Sequence, residues 1–276
     1  VTMIKQRLIT AAILIPLVIL GILFLQTKTL EWLIALVTVL AAWEWFGIIG
    51  VHDVIKRLIW VSGLCLLSTI SIQYLSIGFI VSITSIIWLL AAAVLIKYGN
   101  DGLPNHLTTL FRQPGFGIAS AVILLASFWI AAISLHDSQM GPQQLVYILV
   151  SVWLADTGGY IVGKKWGKKA LAKAVSPNKT WEGVWGALTL TTIWAIVAFE
   201  IGLGGSLSLQ TWLLLTLTSV AMSIVGDLFE SLFKRSHNIK DSGNLLPGHG
   251  GVLDRIDSLI AAVPIFVAGL ILTEGL

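Results

Sequence analysis

The stretch from Ser231 to Asp257, SLFKRSHNIKDSGNLLPGHGGVLDRID, concentrates ionisable side chains in a chain whose other long segments are nearly free of charge. Lys234, Arg235, Lys240 and Arg255 are basic, Asp241, Asp254 and Asp257 are acidic, and His237 and His249 lie among Gly243, Gly248, Gly250 and Gly251. Taking an ionised group out of water is costly, so an apolar chain carries charge at such density where it meets solvent or holds something charged. A solvated loop with no further role is the plain alternative, and three features argue against it. Asp254 and Asp257 stand at i and i+3, on one side of a helix if a span begins there, and together can hold a hard cation. The run Pro247, Gly248, His249, Gly250, Gly251 brings backbone without side-chain bulk to that helix start, where amide N–H groups can approach a phosphate. The four basic residues supply positive charge around the same point. Carboxylates for a metal, glycines for close approach and cations for phosphate oxygens are what phosphoryl or nucleotidyl transfer requires.

A second chemical element runs from Gly163 to Gly183, GKKWGKKALAKAVSPNKTWEG. Lys164, Lys165, Lys168 and Lys169 suit contact with anionic lipid headgroups. In the SPNKTWEG segment, Ser176, Asn178, Lys179 and Thr180 put hydroxyls, an amide and an ammonium close together around Pro177, ahead of Glu182 and Gly183. That set can bind phosphate oxygens or a base edge, or it can simply cap the next helix. Two acids lie within or at the end of apolar runs: Asp156 beside Thr157, Gly158 and Gly159, and Asp227 with Glu230 and Ser231 at i+3 and i+4. A carboxylate inside a membrane span is by default a functional candidate, because otherwise its desolvation is unrecovered. Glu44 and Glu200 read as interfacial or structural charges; His52, His106 and His136 read as loop residues.

The elements that must position these groups are membrane helices. With 276 residues, 57% of them hydrophobic and 11% charged, and a mean hydropathy of +0.92, the chain reads as an all-α polytopic membrane protein without room for a separate soluble domain. Apolar runs are predicted to span at Leu8 to Leu25, Leu30 to Ile49, Leu58 to Ile72, Ile77 to Ile96, Gly117 to Leu135, Leu145 to Val162, Val184 to Leu203, Leu209 to Phe229 and Ile256 to Leu272, nine in all. The first is too long for a signal-peptide core, and the third is the shortest, with Ser68, Thr69 and Ser71 inside it. Residues 1–116 hold the first four spans and 117–276 the other five with the two chemical loops, as one membrane unit. The lone Cys65 excludes a disulfide framework and a cysteine metal site and reads as packing. With a cytoplasmic N-terminus, every one of the 17 Lys and Arg except Lys28 falls on the inside, including both chemical loops. The C-terminus, with Glu274, is then outside. Trp32, Trp43, Trp45, Trp60, Trp153, Trp166, Trp181 and Trp212 fall near span ends, as interfacial belts do.

With these residues in view, the chain resembles the CDP-diacylglycerol synthases, also called phosphatidate cytidylyltransferases. Their C-terminal signature is matched at Ser231, Phe233, Lys234, Arg235, Lys240, Asp241, Gly243, Leu246, Pro247, His249, Gly250, Gly251, Val252, Asp254, Arg255, Ile256 and Asp257, without a departure. The resemblance extends through SPNKTWEG, the Asp156 helix and the eighth span; up to about Gly115 the chain matches only as apolar spans. It implies transfer of CMP from CTP to phosphatidic acid, giving CDP-diacylglycerol and pyrophosphate for phospholipid synthesis, at the cytoplasmic face of the plasma membrane. Mg2+ is implied as cofactor, with K+ as a candidate second ion; Asp227 and Asp254 would bind Mg2+ and Asp257 would be a further ligand or support. Lys234, Arg235, Lys240 and Arg255 would contact phosphates, Asp241, Gly250 and Gly251 complete the signature, and Ser176, Asn178, Lys179 and Thr180, with Asp156, would face the substrates. His249 would orient rather than act as base, since a phosphate monoester is already ionised near neutral pH. The expected partners are CTP, phosphatidic acid and membrane lipids, with no nucleic acid; membrane enzymes of this kind are often homodimers.

Two other readings share part of the pattern. A CTP-dependent lipid or polyprenol kinase needs the same metal and nucleotide but transfers the γ-phosphoryl group, and an ion-coupled transporter would use Asp156 and Asp227 on its pathway. The clustering of acids with lysines and glycines on one face, and the lack of an inverted repeat, favour the enzyme.

Overall fold

The computed structural model describes residues 2–243 and 250–273, with side chains from residue 12 onward. The chain runs through α1 (Thr2–Phe24), α2 (Thr27–Ile48), α3 (Val54–Tyr74), α4 (Ile77–Tyr98), α5 (Asn105–Arg112), α6 (Pro114–His136), α7 (Gly141–Trp166), β1 (Ala170–Ala172), β2 (Ser176–Thr180), α8 (Trp181–Glu200), α9 (Leu209–Ser236) and α10 (Leu253–Leu272). Each predicted span has its helix. Among the described residues eight are long and apolar enough to cross a membrane, which makes the protein an all-α polytopic membrane protein. The third span, short by composition, is a helix of 21 residues in which Ser68, Thr69 and Ser71 cause no break. Ser68 and Thr69 return their hydroxyls to the carbonyls of Leu64 and Leu66 in their own helix.

Helix starts follow local capping chemistry. Asp53, Ser76, Thr180 and Ser208 each accept a first-turn N–H, from Lys56, Phe79, Gly183 and Thr211 respectively. Two elements were not legible as spans. Helix α5 is eight residues between Pro104 and Pro114, and its Phe111 is buried. The β1–β2 hairpin pairs Ala170 with Thr180 and Ala172 with Ser176, antiparallel, and forms the one sheet among the described residues.

The loops gather at two ends, as the alternating topology requires. At one end His136 donates from Nε2 to Ile22 O at 2.8 Å and accepts the Thr27 hydroxyl at 2.9 Å. That corrects its reading as a loop residue: it ends α6 and is buried, where both ring nitrogens need partners. At the other end the hairpin leans on the end of α4, with Ala174 N–H on Gly99 O at 2.9 Å and Lys173 N–H on the Asn100 side chain at 3.1 Å. Arg112 of α5 donates there to Ser236 O at 2.8 Å.

Close approach of backbones sets the two helix pairs that matter for the site. A Cβ on Gly158 of α7 would stand 2.6 Å from Gly186 O of α8, so these helices touch through small residues as membrane helices do. Likewise a Cβ on Gly226 of α9 would stand 2.5 Å from Asp257 O of α10. An aromatic cluster fixes the last turns of α9: Phe233 packs on Trp45 of α2 (5.3 Å between centroids) and Phe111 of α5 (4.8 Å), and Phe229 on Trp88 of α4 (5.6 Å). Trp45 is thus core and not belt, and so is Trp212, fully buried with its indole N–H on Ala195 O. Position near a span end does not by itself tell an inward indole from an outward one.

Candidate active site

The hairpin and the adjoining ends of α7, α8, α9 and α10 bring the two chemical loops together. Thr180 holds two jobs: it ends β2 and its hydroxyl caps α8. Glu182, two residues on, accepts the N–H groups of Lys168 and Lys169 at 3.0 and 3.2 Å, which fastens the strand that faces β2. Lys179 is thereby aimed across to α9, where its ammonium meets Asp227 Oδ2 at 2.5 Å. Both side chains keep about a quarter of their surface open, 28% and 27%. Burial pulls the Lys179 pKa down, but the charge and hydrogen bond of Asp227, followed by the charges of Asp156 and Asp257, outweigh it and hold the ammonium above its ordinary value. Ser231 lies within 3.5 Å of Asp227 Oδ1, one turn along the same helix.

Behind Lys179 and Asp227 stands a second group of charges. Lys234 Nζ binds Asp254 Oδ1 at 2.8 Å and also pairs with Glu230, one turn back on α9. Asp254 Oδ2 accepts the backbone N–H groups of Gly251 at 2.9 Å and Ser242 at 3.3 Å. Gly250, just before Gly251, stands at φ +80°, the left-handed region that favours glycine. Asp254 and Asp257 do lie on the first turns of a helix, α10, as their spacing predicts. Asp257 accepts the Ser258 N–H at 2.7 Å and lies within electrostatic range of Asp227, Glu230 and Lys179. Asp156 of α7 is within range of Lys179, Asp227 and Arg255. Carboxylates outnumber cations in this cluster, with Asp156, Asp227, Glu230, Asp254 and Asp257 against Lys179, Lys234 and Arg255.

A cavity of about 300 Å³ opens between the hairpin and helices α7, α8 and α9. Asp156, Ser176, Asn178, Lys179 and Thr180 line its polar part, and Ala155, Val184, Ala187 and Ile224 its apolar part. So Asp156 and the SPNKT residues, apart in sequence, share one space. The basic residues divide. Lys234 is engaged by two carboxylates, and Arg235 is exposed with its Nε–H on Val175 O at 3.3 Å. Lys240, Asp241 and Arg255 are exposed; Arg255 belongs to the charge cluster, and Asp241 lines a separate cavity with Glu44 and Ser242. His249, with Pro247 and Gly248, lies outside the described residues.

Two residues were missed as site candidates. Glu230 was visible only as a neighbour of Asp227 on its helix. Glu44 of α2, read as interfacial or structural, is 5% exposed and touches the signature loop: Oε2 accepts Leu253 N–H at 2.8 Å and the Ser242 hydroxyl at 3.2 Å. The available signal was an acid between Trp43 and Trp45 inside an apolar run.

Among the described residues no three His, Cys, Asp or Glu side chains converge as a ready-made metal cage. Mg2+ does not ask for one: it takes one or two carboxylates and completes its shell with water and substrate phosphates. The surplus of hard carboxylate oxygens around Asp227, Asp254 and Asp257 has the chemistry of that ion.

The family model described as "Cytidylyltransferase family" matches residues 5–272. The chain is 37% identical to the phosphatidate cytidylyltransferase of Pseudomonas aeruginosa, covering 96% of each chain, and 33% identical to that of Haemophilus influenzae, covering 96% of this chain and 97% of the relative. With the phosphatidate cytidylyltransferase of Bacillus subtilis it shares 34% identity over 67% of its own length and 65% of the relative's. The similarity thus takes in the first four helices as well as the signature.

Proposed function

The chain belongs to the cytidylyltransferase family, and we propose that its site performs cytidylyl transfer at the cavity lined by Lys179 and Asp156, with Asp227 paired to Lys179. The protein is a CTP:phosphatidate cytidylyltransferase of the membrane, making CDP-diacylglycerol and pyrophosphate from CTP and phosphatidic acid. The observation that carries the assignment of the site is the two-sided lining of that cavity. Its ammonium, amide and hydroxyl groups suit phosphates, while Val184, Ala187 and Ile224 beside them suit the acyl side of a lipid.

In the reaction an oxygen of the phosphatidate monoester attacks the α-phosphorus of CTP, the bond from that phosphorus to the bridging oxygen breaks, and pyrophosphate departs. The nucleophile is already ionised near neutral pH, so no side chain must remove a proton. The protein's task is to align two anions and to neutralise the charge between them. Lys179 does this at the cavity, with Ser176, Asn178 and Thr180 holding phosphate oxygens or the cytosine edge. Lys240, Arg235 and Arg255 supply positive field from the rim. Lys234, already bound between Glu230 and Asp254, instead keeps Asp254 charged and in place. Asp227 and Asp254 would hold Mg2+, with Asp257 beside them and K+ as a second ion. When bound, Mg2+ supplies charge neutralisation at the phosphates.

The site's place at one end of the helices, with both basic loops, supports a plasma-membrane enzyme whose active face is cytoplasmic, where CTP is found. Acyl chains would remain in the bilayer while the phosphate reaches the cavity through an opening among α7, α8 and α9. A homodimer is the assembly we propose to test, by light scattering of the protein in detergent.

The test uses purified protein with phosphatidate, Mg2+ and CTP labelled at either the α- or the γ-phosphate, alongside Asp254→Asn. Label entering lipid only from the α position, and lost in the variant, is expected. Label from the γ position would make the protein a kinase, and none from either would remove the reading.

A further inference from the structure

Glu44 lies in α2, outside the half of the chain where sequence concentrates its chemistry, yet it is buried against the loop that carries Asp254. Leu253, whose N–H it accepts at 2.8 Å, is the first residue of α10. That helix has no side-chain cap at its own N-cap residue, Val252. The first-turn N–H groups of a helix need acceptors, and a carboxylate also favours the positive end of the helix dipole. Glu44 therefore does from another helix what a local Asp, Ser or Thr does for α3, α4, α8 and α9.

The loop is fitted around the same carboxylate. A Cβ at Gly243 would stand 2.6 Å from Glu44 Oε1 and 2.9 Å from its Cδ; one at Gly251 would stand 2.8 Å from that Cδ. Ser242 and Gly251, the residues that give their N–H groups to Asp254 Oδ2, are those packed on Glu44. The carboxylate thus fixes both the helix start that bears Asp254 and the two backbone donors that orient it. It takes no part in lining the cavity assigned to the substrates.

We infer that Glu44 is a positioning residue for cytidylyl transfer: it clamps Ser242, Gly251 and Leu253 so that Asp254 is presented to the reaction in one orientation, and it does not touch substrate. This rests on the cytidylyl-transfer reading of the site. It also gives the N-terminal helices a part in the active site.

The experiment compares wild type, Glu44→Ala and Glu44→Gln by hydrogen–deuterium exchange of peptides covering residues 250–256, without nucleotide or metal, and by steady-state kinetics with CTP and phosphatidate. In Glu44→Ala, exchange of those amides rises and kcat falls by about 10- to 100-fold, the usual cost of removing a group that orients a catalytic carboxylate. KM for CTP stays within about twofold, because uniform substrate binding is not lost. Glu44→Gln keeps one oxygen for Leu253 N–H and falls between the two. Gly243→Ala, pressing on the carboxylate from the other side, gives the same split of kcat from KM. Should Glu44→Ala not fold, Glu44→Gln and Gly243→Ala decide the matter by the same readouts. Exchange and kcat near wild type in the folded variants overturn the inference, as does a loss of kcat with unchanged exchange or a KM that rises in step. A wild type that transfers no cytidylyl group sinks the reading of the function, whereas the exchange data still show whether Glu44 holds the loop.

Discussion

Lys179 of the hairpin and Asp227 of α9 meet at 2.5 Å, and this ion pair closes the β1–β2 sheet onto the helix that carries Asp227, Glu230 and Lys234. It joins the two polar loops at the edge of the cavity. A phosphate entering there meets an ammonium already paired with a carboxylate, so binding exchanges one partner for another.

Replacing Lys179 removes both the pair and the cavity's cation. Lys179→Met is expected to lower turnover about 100-fold or more, the scale of losing a charge preorganised for the transition state. Lys179→Arg should recover part of it. Incorporation of α-labelled CTP into lipid measures both, and wild-type turnover in Lys179→Met would take Lys179 out of the chemistry.

The same pair has a defined pH behaviour. The Lys179 pKa is raised by Asp227 above its ordinary value, so its contribution to stability is complete below the unfolded lysine value of about 10.4 and is lost only as pH climbs through the higher folded value. The difference in thermal midpoint between wild type and Lys179→Met should therefore stay constant from neutral pH to about pH 9 and shrink only in stronger alkali. A difference that vanishes near neutrality would show that the pair is not formed.

Small residues at the α7–α8 contact predict a third outcome. A Cβ on Gly186 would stand 2.7 Å from Gly158 O, backbone that cannot yield without moving a helix. Gly186→Val should cost about 1–3 kcal/mol, as overpacking of a close contact does. It should also lower activity, since α8 carries the Thr180 cap beside Lys179. Thermal unfolding in detergent and the transfer assay read the two effects; an unchanged midpoint would mean the helices are not so close.

The spans were legible because the bilayer demands long apolar helices, and the signature because glycines, acids and bases at fixed spacing have few other uses. That Asp254 and Asp257 share the start of one helix followed from their spacing. What sequence did not carry was partnership across helices. Lys234 was expected at a phosphate, but its neighbours Glu230 and Asp254, from two helices, claim it. Trp45 and Trp212 looked interfacial because a position along a span says nothing of which side faces the core. Glu44 looked structural because its partners are some two hundred residues away in the chain. The SPNKT segment was open between a ligand loop and a cap, and Thr180 shows that one residue can end a strand, cap a helix and line a cavity at once.

The Glu230–Lys234–Asp254 group yields the last prediction. Lys234 and Glu230 retain 12% and 3% of their side-chain exposure, and Asp254 retains 13%, so one ammonium is shared by two largely buried carboxylates. Taking it away should leave buried charge uncompensated, and Lys234→Met is expected to destabilise the protein by about 3–5 kcal/mol. Neutralising one acid as well should return much of that loss: the double variant Lys234→Met with Glu230→Gln should unfold at a higher temperature than Lys234→Met alone, although Glu230→Gln by itself stabilises little. Activity should not return with stability, because Asp254 has lost the partner that orients it. Thermal unfolding of the four proteins in detergent closes the cycle, and strict additivity of the two substitutions would show that Lys234 and Glu230 do not interact.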